Sequence, residues 1–319
     1  MSEKTQLDSP KELLSIVIPC KNEVESVELF YNAVSGVLSK IDGLDFELIF
    51  VEDGSTDGTL ALLRALHERD SRIKYISLSR NFGKEAAMLA GFENARGDYI
   101  CTMDADLQDP PSLLPQMIEI IRRDNVDSVA AKKRSRSDES AFRSFMASSF
   151  YKLINALSSV KFRDGARDFR LMKRRMLDEV LRLRESNRFT KGLFEWVGFN
   201  TRWIEFDPVK RAAGTTKWSP AGLVKYSIEA ITSFSTFPLE VVSAIGLAMC
   251  ALSSFAIVFL SIRQLMFHNS AFGWTSMICI IFFLSGVQLF CIGILGHYLS
   301  KIYIESKGRP PYIIAEKRL

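Results

Sequence analysis

Cysteine is scarce in this chain. Five occur among 319 residues and none stands in a C-x-x-C pair, which excludes a disulfide framework. Charge is missing from two long stretches. No Asp, Glu, Lys or Arg occurs in residues 241–262, and none in 272–300, where His297 is the only side chain titrating near neutrality. Each stretch exceeds the ~20 residues that cross ~30 Å of hydrocarbon, and two side by side predict membrane spans rather than buried core helices. The net charge is only +4, and no long basic tract or RNA-binding signature is present, so no nucleic-acid partner is expected. A G-x-G-x-x-G after the first strand is absent, which disfavours a dinucleotide dehydrogenase; G-x-x-x-x-G-K-[ST] is absent too, which excludes a P-loop. Residues 1–13 are charged and polar, so no signal peptide is expected. There is no internal repeat.

The two apolar runs are separated only by residues 263–271, so they form a hairpin with both flanks on one side. Lys210, Arg211, Lys217 and Lys225 precede it, and Lys301, Lys307, Arg309, Lys317 and Arg318 follow, while Arg263 is the linker's only Lys or Arg. The positive-inside rule places both flanks in the cytoplasm. Trp274, Tyr298 and Tyr303 fit interfacial belts. Cys250, Cys279 and Cys291 serve as small hydrophobes in the spans.

The first half alternates strand and helix signals. Strands are predicted at 14–18 (ended by Pro19), 46–51, 73–78, 98–104 and 126–131. Helices are predicted at 23–40, 57–69, 83–95 and 111–124. This alternation predicts a mainly parallel α/β sheet with right-handed crossovers. Residues 132–136 form a basic run, normally a solvated loop. Residues 141–160 carry a wide apolar face suited to a core or a membrane surface. Residues 219–237, with Pro220 near the start and Pro238 beyond the end, read as an interfacial helix.

Asp104 and Asp106 stand where the fourth strand stops being apolar. Alternation along a strand points residues i and i+2 to one side, so both carboxylates are expected to face one spot at its carboxyl end, where open α/β sheets bind ligands. Two hard oxygen donors suit Mg²⁺ or Mn²⁺ carrying a diphosphate. The plainer alternative is an acidic polar loop.

The strand ends carry, in order, Ile18-Pro-Cys-Lys-Asn-Glu23, Val51-Glu-Asp-Gly-Ser-Thr-Asp-Gly-Thr59, Ser79-Arg-Asn-Phe-Gly-Lys84 and Asp104-Ala-Asp-Leu-Gln-Asp-Pro110. This set resembles family 2 glycosyltransferases with the GT-A nucleotide-sugar-binding fold. The resemblance continues through Arg167-Asp-Phe-Arg-Leu-Met172, Lys191-Gly-Leu-Phe-Glu-Trp196, Arg211-Ala-Ala-Gly-Thr-Thr-Lys-Trp218, Ile231-Thr-Ser-Phe-Ser-Thr-Phe-Pro238 and Tyr303-Ile-Glu-Ser-Lys-Gly-Arg-Pro-Pro-Tyr312, and so covers nearly the whole chain. It is most like the polyprenyl-phosphate glycosyltransferases, related to dolichol-phosphate mannose synthase, and within them the bacterial bactoprenol glucosyltransferases.

The resemblance implies a Rossmann-like GT-A catalytic domain over residues 1–211, an acceptor loop and interfacial helix over 212–237, and a two-span hairpin with a cytoplasmic tail over 238–319, the spans at about 239–262 and 272–300. It implies a metal-dependent, inverting hexosyltransferase of the bacterial inner membrane, moving glucose from UDP-glucose to undecaprenyl phosphate. A flippase and a downstream glycosyltransferase would then use the product for lipopolysaccharide O-antigen or another envelope glycan. Gly286, Gly293 and Gly296 suit homo-oligomerisation through the spans.

Residue by residue, the resemblance places Pro19, Lys21 and Glu23 beside the base and ribose, with Val51 and Ala105 in the same nucleotide site. Lys21 departs from the family's frequent aromatic and cannot stack in that way. Asp53 is implied to accept a hydrogen bond from the uracil edge or ribose, although D-G-S stretches also make Asx-turns. Lys84 opens a helix, where a cation opposes the dipole unless it meets an anion; the implied anion is the diphosphate. Asp104 and Asp106 are implied metal ligands, joined by Gln108. Asp168 is implied nearest the sugar, orienting a hydroxyl or acting as general base; the structural alternative is an ion pair with Arg167 or Arg170. Arg211, Thr215 and Lys217 around a Gly-Thr-Thr turn suit a lipid phosphate, with Arg134 and Arg136 as further candidates. Three rivals stand beside this reading. Another donor (GDP-mannose, UDP-GlcNAc, an amino-arabinose nucleotide) fits the same motifs. A non-catalytic scaffold is expected to lose a metal aspartate. A processive synthase is expected to carry Gln-x-x-Arg-Trp and more spans.

Overall fold

The computed structural model describes residues 11–134, 155, 160, 161, 163, 165–207, 232, 235–267 and 273–319. The chain runs β1 (Glu12–Cys20), α1 (Val24–Leu38), β2 (Leu44–Glu52), α2 (Thr59–Arg69), β3 (Ile73–Leu78), α3 (Lys84–Asn94) and β4 (Tyr99–Thr102). A 3₁₀ turn at Pro111–Leu113 leads into α4 (Leu114–Arg123), then β5 (Ser128–Lys133), β6 (Ala166–Lys173), α5 (Arg174–Arg182), α6 (Thr190–Trp196) and β7 (Thr201–Phe206). Two long helices, α7 (Phe237–Phe267) and α8 (Trp274–Ser306), precede a last strand, β8 (Ile314–Arg318).

The strands form one sheet in the order β7-β5-β6-β4-β1-β2-β3-β8. The predicted parallel half is present: β3, β2, β1 and β4 lie side by side and parallel. β5 and β7 are also parallel. β6 inserts between β4 and β5, antiparallel to both, and β8 pairs antiparallel with β3 at the far edge. The chain leaves β1 toward β2 and β3 and then returns to its other side as β4. That reversal opens a crevice at the carboxyl ends of β1 and β4.

The central strands are apolar along their length because both faces are covered. Leu14, Ile16 and Ile18 of β1 pack with Phe30 and Val34 of α1, Leu63 of α2 and Met117 of α4. Val17, Ile49 and Val51 face the other layer, with Ala87 and Ala90 of α3, Met176 of α5 and Leu193 of α6. Gly91 lets α3 press on the sheet, since a Cβ there would overlap Val17. Glu47 of β2 is one of several buried charges, accepting Ser15 Oγ at 2.5 Å and the Arg96 amide at 3.0 Å, with Lys74 as counter-ion. Two differences at strand ends bear on the site. Pro19 does not stop β1, which stays in register with Val51 through Pro19 and ends at Cys20. β4 stops at Thr102, two residues short of Asp104.

α7 and α8 are long and apolar enough to cross a membrane, by length and composition. Phe255 is 71% exposed and Phe282 is 73% exposed, so among the described residues these faces have little cover, and they suit a non-aqueous surrounding. The carboxyl-terminal part of α8 is tied to the chain just before α7: the Tyr298 hydroxyl donates to Ser235 O at 2.8 Å, and Lys301 Nζ to Thr232 Oγ1 at 2.6 Å. His297 lines an apolar hollow there with Pro238, Phe290 and Ile294. The predicted tail does not trail away: it returns to the sheet as β8. The expected helices within 141–160 and 219–237 lie largely outside the described residues.

Candidate active site

The crevice at the strand ends is a cavity of about 290 Å³. β1 delivers Pro19, Cys20, Lys21 and Glu23; β2 delivers Asp53; the segment after β3 delivers Asn81, Gly83 and Lys84; the turn after β4 delivers Asp104, Ala105 and Asp106. Eight of the predicted donor residues therefore share one wall: Pro19, Lys21, Glu23, Asp53, Lys84, Asp104, Ala105 and Asp106. Val51 does not join them. It is fully buried under α3, because its position in β2 points into the core while Asp53, past the strand end, reaches the crevice.

Asp104 and Asp106 do border one cavity, but not by strand alternation. Both lie beyond the end of β4 in a turn. Asp106 Oδ1 accepts the Gln108 amide at 3.1 Å, and Leu107 adopts φ +56°, reversing the chain. The reversal takes Gln108 away from the cavity, where its side-chain oxygen accepts Arg167 Nη2 at 3.4 Å. Gln108 is not among the residues that line the cavity. Among the described residues no three His, Cys, Asp or Glu side chains converge as a metal cage. Two carboxylates at a cavity suit a hard divalent ion that takes its remaining oxygens from substrate phosphates and water.

Asp53 is buried and uses both oxygens on backbone: Oδ1 accepts the Phe82 amide at 2.6 Å and Oδ2 the Gly83 amide at 2.9 Å. Its bonds therefore join two loops rather than close a local turn. Gly54 beside it has φ +61°, and a Cβ there would overlap the backbone of Arg80 and Asn81. The two loops are in backbone contact at this point.

Lys84 meets the anion its helix position demands, but that anion belongs to the protein. Its Nζ lies 2.6 Å from Asp104 Oδ1 and 2.5 Å from Asp168 Oδ2. Burial pulls the ammonium down, yet Asp168 and Asp104 outweigh it and hold it above its usual value. Asp168 reaches this point because β6 lies antiparallel beside β4, with the Thr102 hydroxyl donating to Asp168 O. Neither neighbouring arginine pairs with it. Arg167 binds Asp109 at 2.8 Å and the buried Arg170 binds Glu195 at 2.6 Å. Its ion partners are Lys84 and Lys191, the latter at 3.5 Å. Burial pushes the Asp168 carboxyl up; Lys191 and Lys84 hold it well below the usual carboxylate range.

Lys191 and Glu85 were not singled out from sequence. Glu85 accepts both the amide, at 2.9 Å, and the hydroxyl of Thr190 at the start of α6. That acceptor anchors the helix that carries Lys191 to Asp168. The only signal was Lys191's place in a family-like stretch. Cys20 is no nucleophile: burial, then Glu23, Glu52 and Asp104, push its thiol well above the usual value, and the thiol is the unreactive form.

The proposed phosphate residues divide. Arg134 is exposed at the end of β5 and donates to Asp207 Oδ2 at 3.3 Å; it does not line the cavity. Arg136, Arg211, Thr215 and Lys217 lie outside the described residues.

A mainly parallel sheet with this carboxylate-bearing crevice is the arrangement of GT-A glycosyltransferases. The pattern of glycosyl transferase family 2 matches residues 15–181, and the chain belongs to that family. It is similar to the bactoprenol glucosyl transferase of Shigella phage SfV, 40% identical over 305 residues, covering 96% of this chain and 99% of that one. It is also 38% identical to the prophage bactoprenol glucosyl transferase homolog of Escherichia coli K12, over 94% of this chain and 98% of that one. Among solved structures, Mycobacterium tuberculosis glucosyl-3-phosphoglycerate synthase in complex with Mn²⁺, UDP-glucose and phosphoglyceric acid overlaps 69% of this chain and 78% of its own, with 18% identity and a TM-score of 0.47. The protein is a glycosyltransferase.

Proposed function

We propose that the chain transfers glucose from UDP-glucose to undecaprenyl phosphate at the cytoplasmic face of a bacterial inner membrane. The observation that carries this is the coupling of one crevice to one hairpin: a carboxylate-walled cavity at the sheet's switch point, followed by two apolar helices in the same chain. The names of the similar phage and bacterial proteins support the lipid acceptor and the sugar. Pro19, Lys21, Glu23 and Asp53 would border the nucleoside. Asp104 and Asp106 would hold Mg²⁺ or Mn²⁺, which, when bound, neutralises the departing diphosphate. Arg211, Thr215 and Lys217 would receive the lipid phosphate, with both helices guiding its tail. Self-association through Gly286, Gly293 and Gly296 belongs to the same reading.

The acceptor needs little activation. A phosphate monoester with a second pKa of about 6 is mostly dianionic at pH 7. One of its oxygens would form the bond to the anomeric carbon as the carbon–oxygen bond to the diphosphate breaks, the electron pair leaving with UDP and the configuration inverting. Asp168, held ionised between two lysines, suits a sugar hydroxyl better than a proton-accepting role.

The test is a panel of radiolabelled nucleotide sugars with undecaprenyl phosphate and the purified protein. UDP-glucose should label the lipid. Labelling only from GDP-mannose, UDP-GlcNAc or an amino-arabinose nucleotide would move the donor assignment while leaving the reaction class. Arg211→Ala should raise the acceptor KM more than the donor KM; the reverse would place Arg211 at the donor.

A further inference from the structure

We infer that the C-terminal segment 312–318, which ends in β8, is a positioning element for the donor crevice, tying the end of the β3 strand before α3 and the far end of α3, and thereby the Lys84 that α3 presents. Five contacts carry this. Before α3, Ile313 O accepts the Ser79 amide at 2.9 Å. At the far end of α3, the Tyr312 hydroxyl donates to Glu93, and Lys317 Nζ to Asn94 Oδ1 at 3.3 Å. Between them, Glu316 is gripped by Arg64 of α2 and by the Tyr75 hydroxyl of β3, the latter at 2.5 Å.

The segment so held is the one that builds the site. Ser79 is followed by Asn81 in the cavity wall, by the Phe82 and Gly83 amides that bind Asp53, and by Lys84. The tight contact of Gly54 with Arg80 and Asn81 leaves this segment no slack. A shift at Ile313 is therefore passed to Asp53 and Lys84 rather than absorbed.

The same tail is joined closely to the membrane hairpin. α8 ends at Ser306 and β8 begins at Ile314. The join contains Pro310 and Pro311, each fixing its own φ. Glu305, in the last turn of α8, accepts the Ser186 amide at 2.9 Å. The end of the second long helix thus reaches the donor site through a short, stiff strut. A strand that merely covers the β3 edge would not need to hold the far end of α3 as well.

The test uses full-length protein in phospholipid nanodiscs. Two full-length variants, Tyr312→Phe and Glu316→Ala, are compared with a chain lacking residues 312–319. Hydrogen exchange is read over residues 79–83, and UDP with Mn²⁺ is titrated by calorimetry. The truncated chain should exchange its Phe82 and Gly83 amides about tenfold faster or more, with β1 and β4 unchanged. Its UDP affinity should fall about tenfold. Tyr312→Phe and Glu316→Ala should shift both readouts the same way by less, and Glu316→Gln should recover part of the loss. Exchange over residues 79–83 unchanged in all of these variants overturns the inference, as does exchange that rises equally throughout the sheet. The inference rests on the donor reading above, and the two fail differently. A wrong donor reading leaves the unaltered protein unable to bind UDP, while exchange at Phe82 and Gly83 still decides the role of β8.

Discussion

The Lys84 ammonium lies 2.5 Å from the Asp168 carboxylate. One residue opens α3 and the other sits on β6, so the pair joins the parallel half of the sheet to the antiparallel insertion. Lys191 approaches the same carboxylate from α6. Asp168→Asn keeps the shape and removes the charge. It should cut kcat by roughly 10²-fold, within the range for a positioned polar group, and change nucleotide affinity far less. Rapid-quench transfer assays beside calorimetric titration separate the two. A loss confined to nucleotide affinity would assign Asp168 to the donor's diphosphate end instead.

The acidic turn after β4 is expected to need a divalent ion. Asp104→Asn or Asp106→Asn should lower transfer by at least about 10²-fold, and EDTA should abolish it, with Mg²⁺ or Mn²⁺ restoring the wild type. Asp104→Asn should also free Lys84 from one of its two partners. Full activity in EDTA would remove the metal from the reaction.

Arg170 is buried, and Glu195 is its ion partner at 2.6 Å; its guanidinium also lies over the rings of Phe194 and Trp203. Glu195→Ala leaves that charge inside the protein without its carboxylate. The expected loss is about 3–5 kcal/mol, the cost of breaking a buried pair from one side. Urea unfolding followed by tryptophan fluorescence measures it. A loss below about 1 kcal/mol would mean that water or another anion reaches Arg170.

Asp70 ends α2 and is bonded by Arg72, by the Arg72 amide at 2.9 Å and by the Tyr31 hydroxyl at 3.0 Å. Arg72, against the opposing effect of burial, holds its carboxyl at about 2. A carboxylate depressed on folding contributes stability above its unfolded pKa of about 3.9 and loses it as pH falls through the folded value. Asp70→Asn should therefore cost about 1 kcal/mol at neutral pH and flatten the stability profile between about pH 4 and 2. Thermal melts across that window show whether the slope disappears.

The parallel half of the fold was legible because burial on both faces writes strands as apolar runs. Residues 73–78 were predicted to the residue. The antiparallel additions were not. β6 reads Ala-Arg-Asp-Phe-Arg-Leu-Met-Lys, too charged to stand out as a strand, because its arginines find Asp109 and Glu195 only after folding. β8 reads Ile-Ala-Glu-Lys-Arg, a short polar edge strand. Its partner, β3, lies far back along the chain, and no local pattern points to it.

The sequence by itself determined the α/β class, the acidic pair at residues 104 and 106 and the two apolar helices, since each follows from local periodicity or from a run of one kind of side chain. Tertiary structure decided which charges meet. Asp168 pairs with Lys84 and Lys191 rather than with the arginines beside it, Gln108 turns to Arg167, Val51 goes to the core, and the tail returns to the sheet. The physical reason is the same for each. An ion pair or a strand edge is satisfied by whatever the chain's path brings within about 3 Å, and that path is set by the whole sheet.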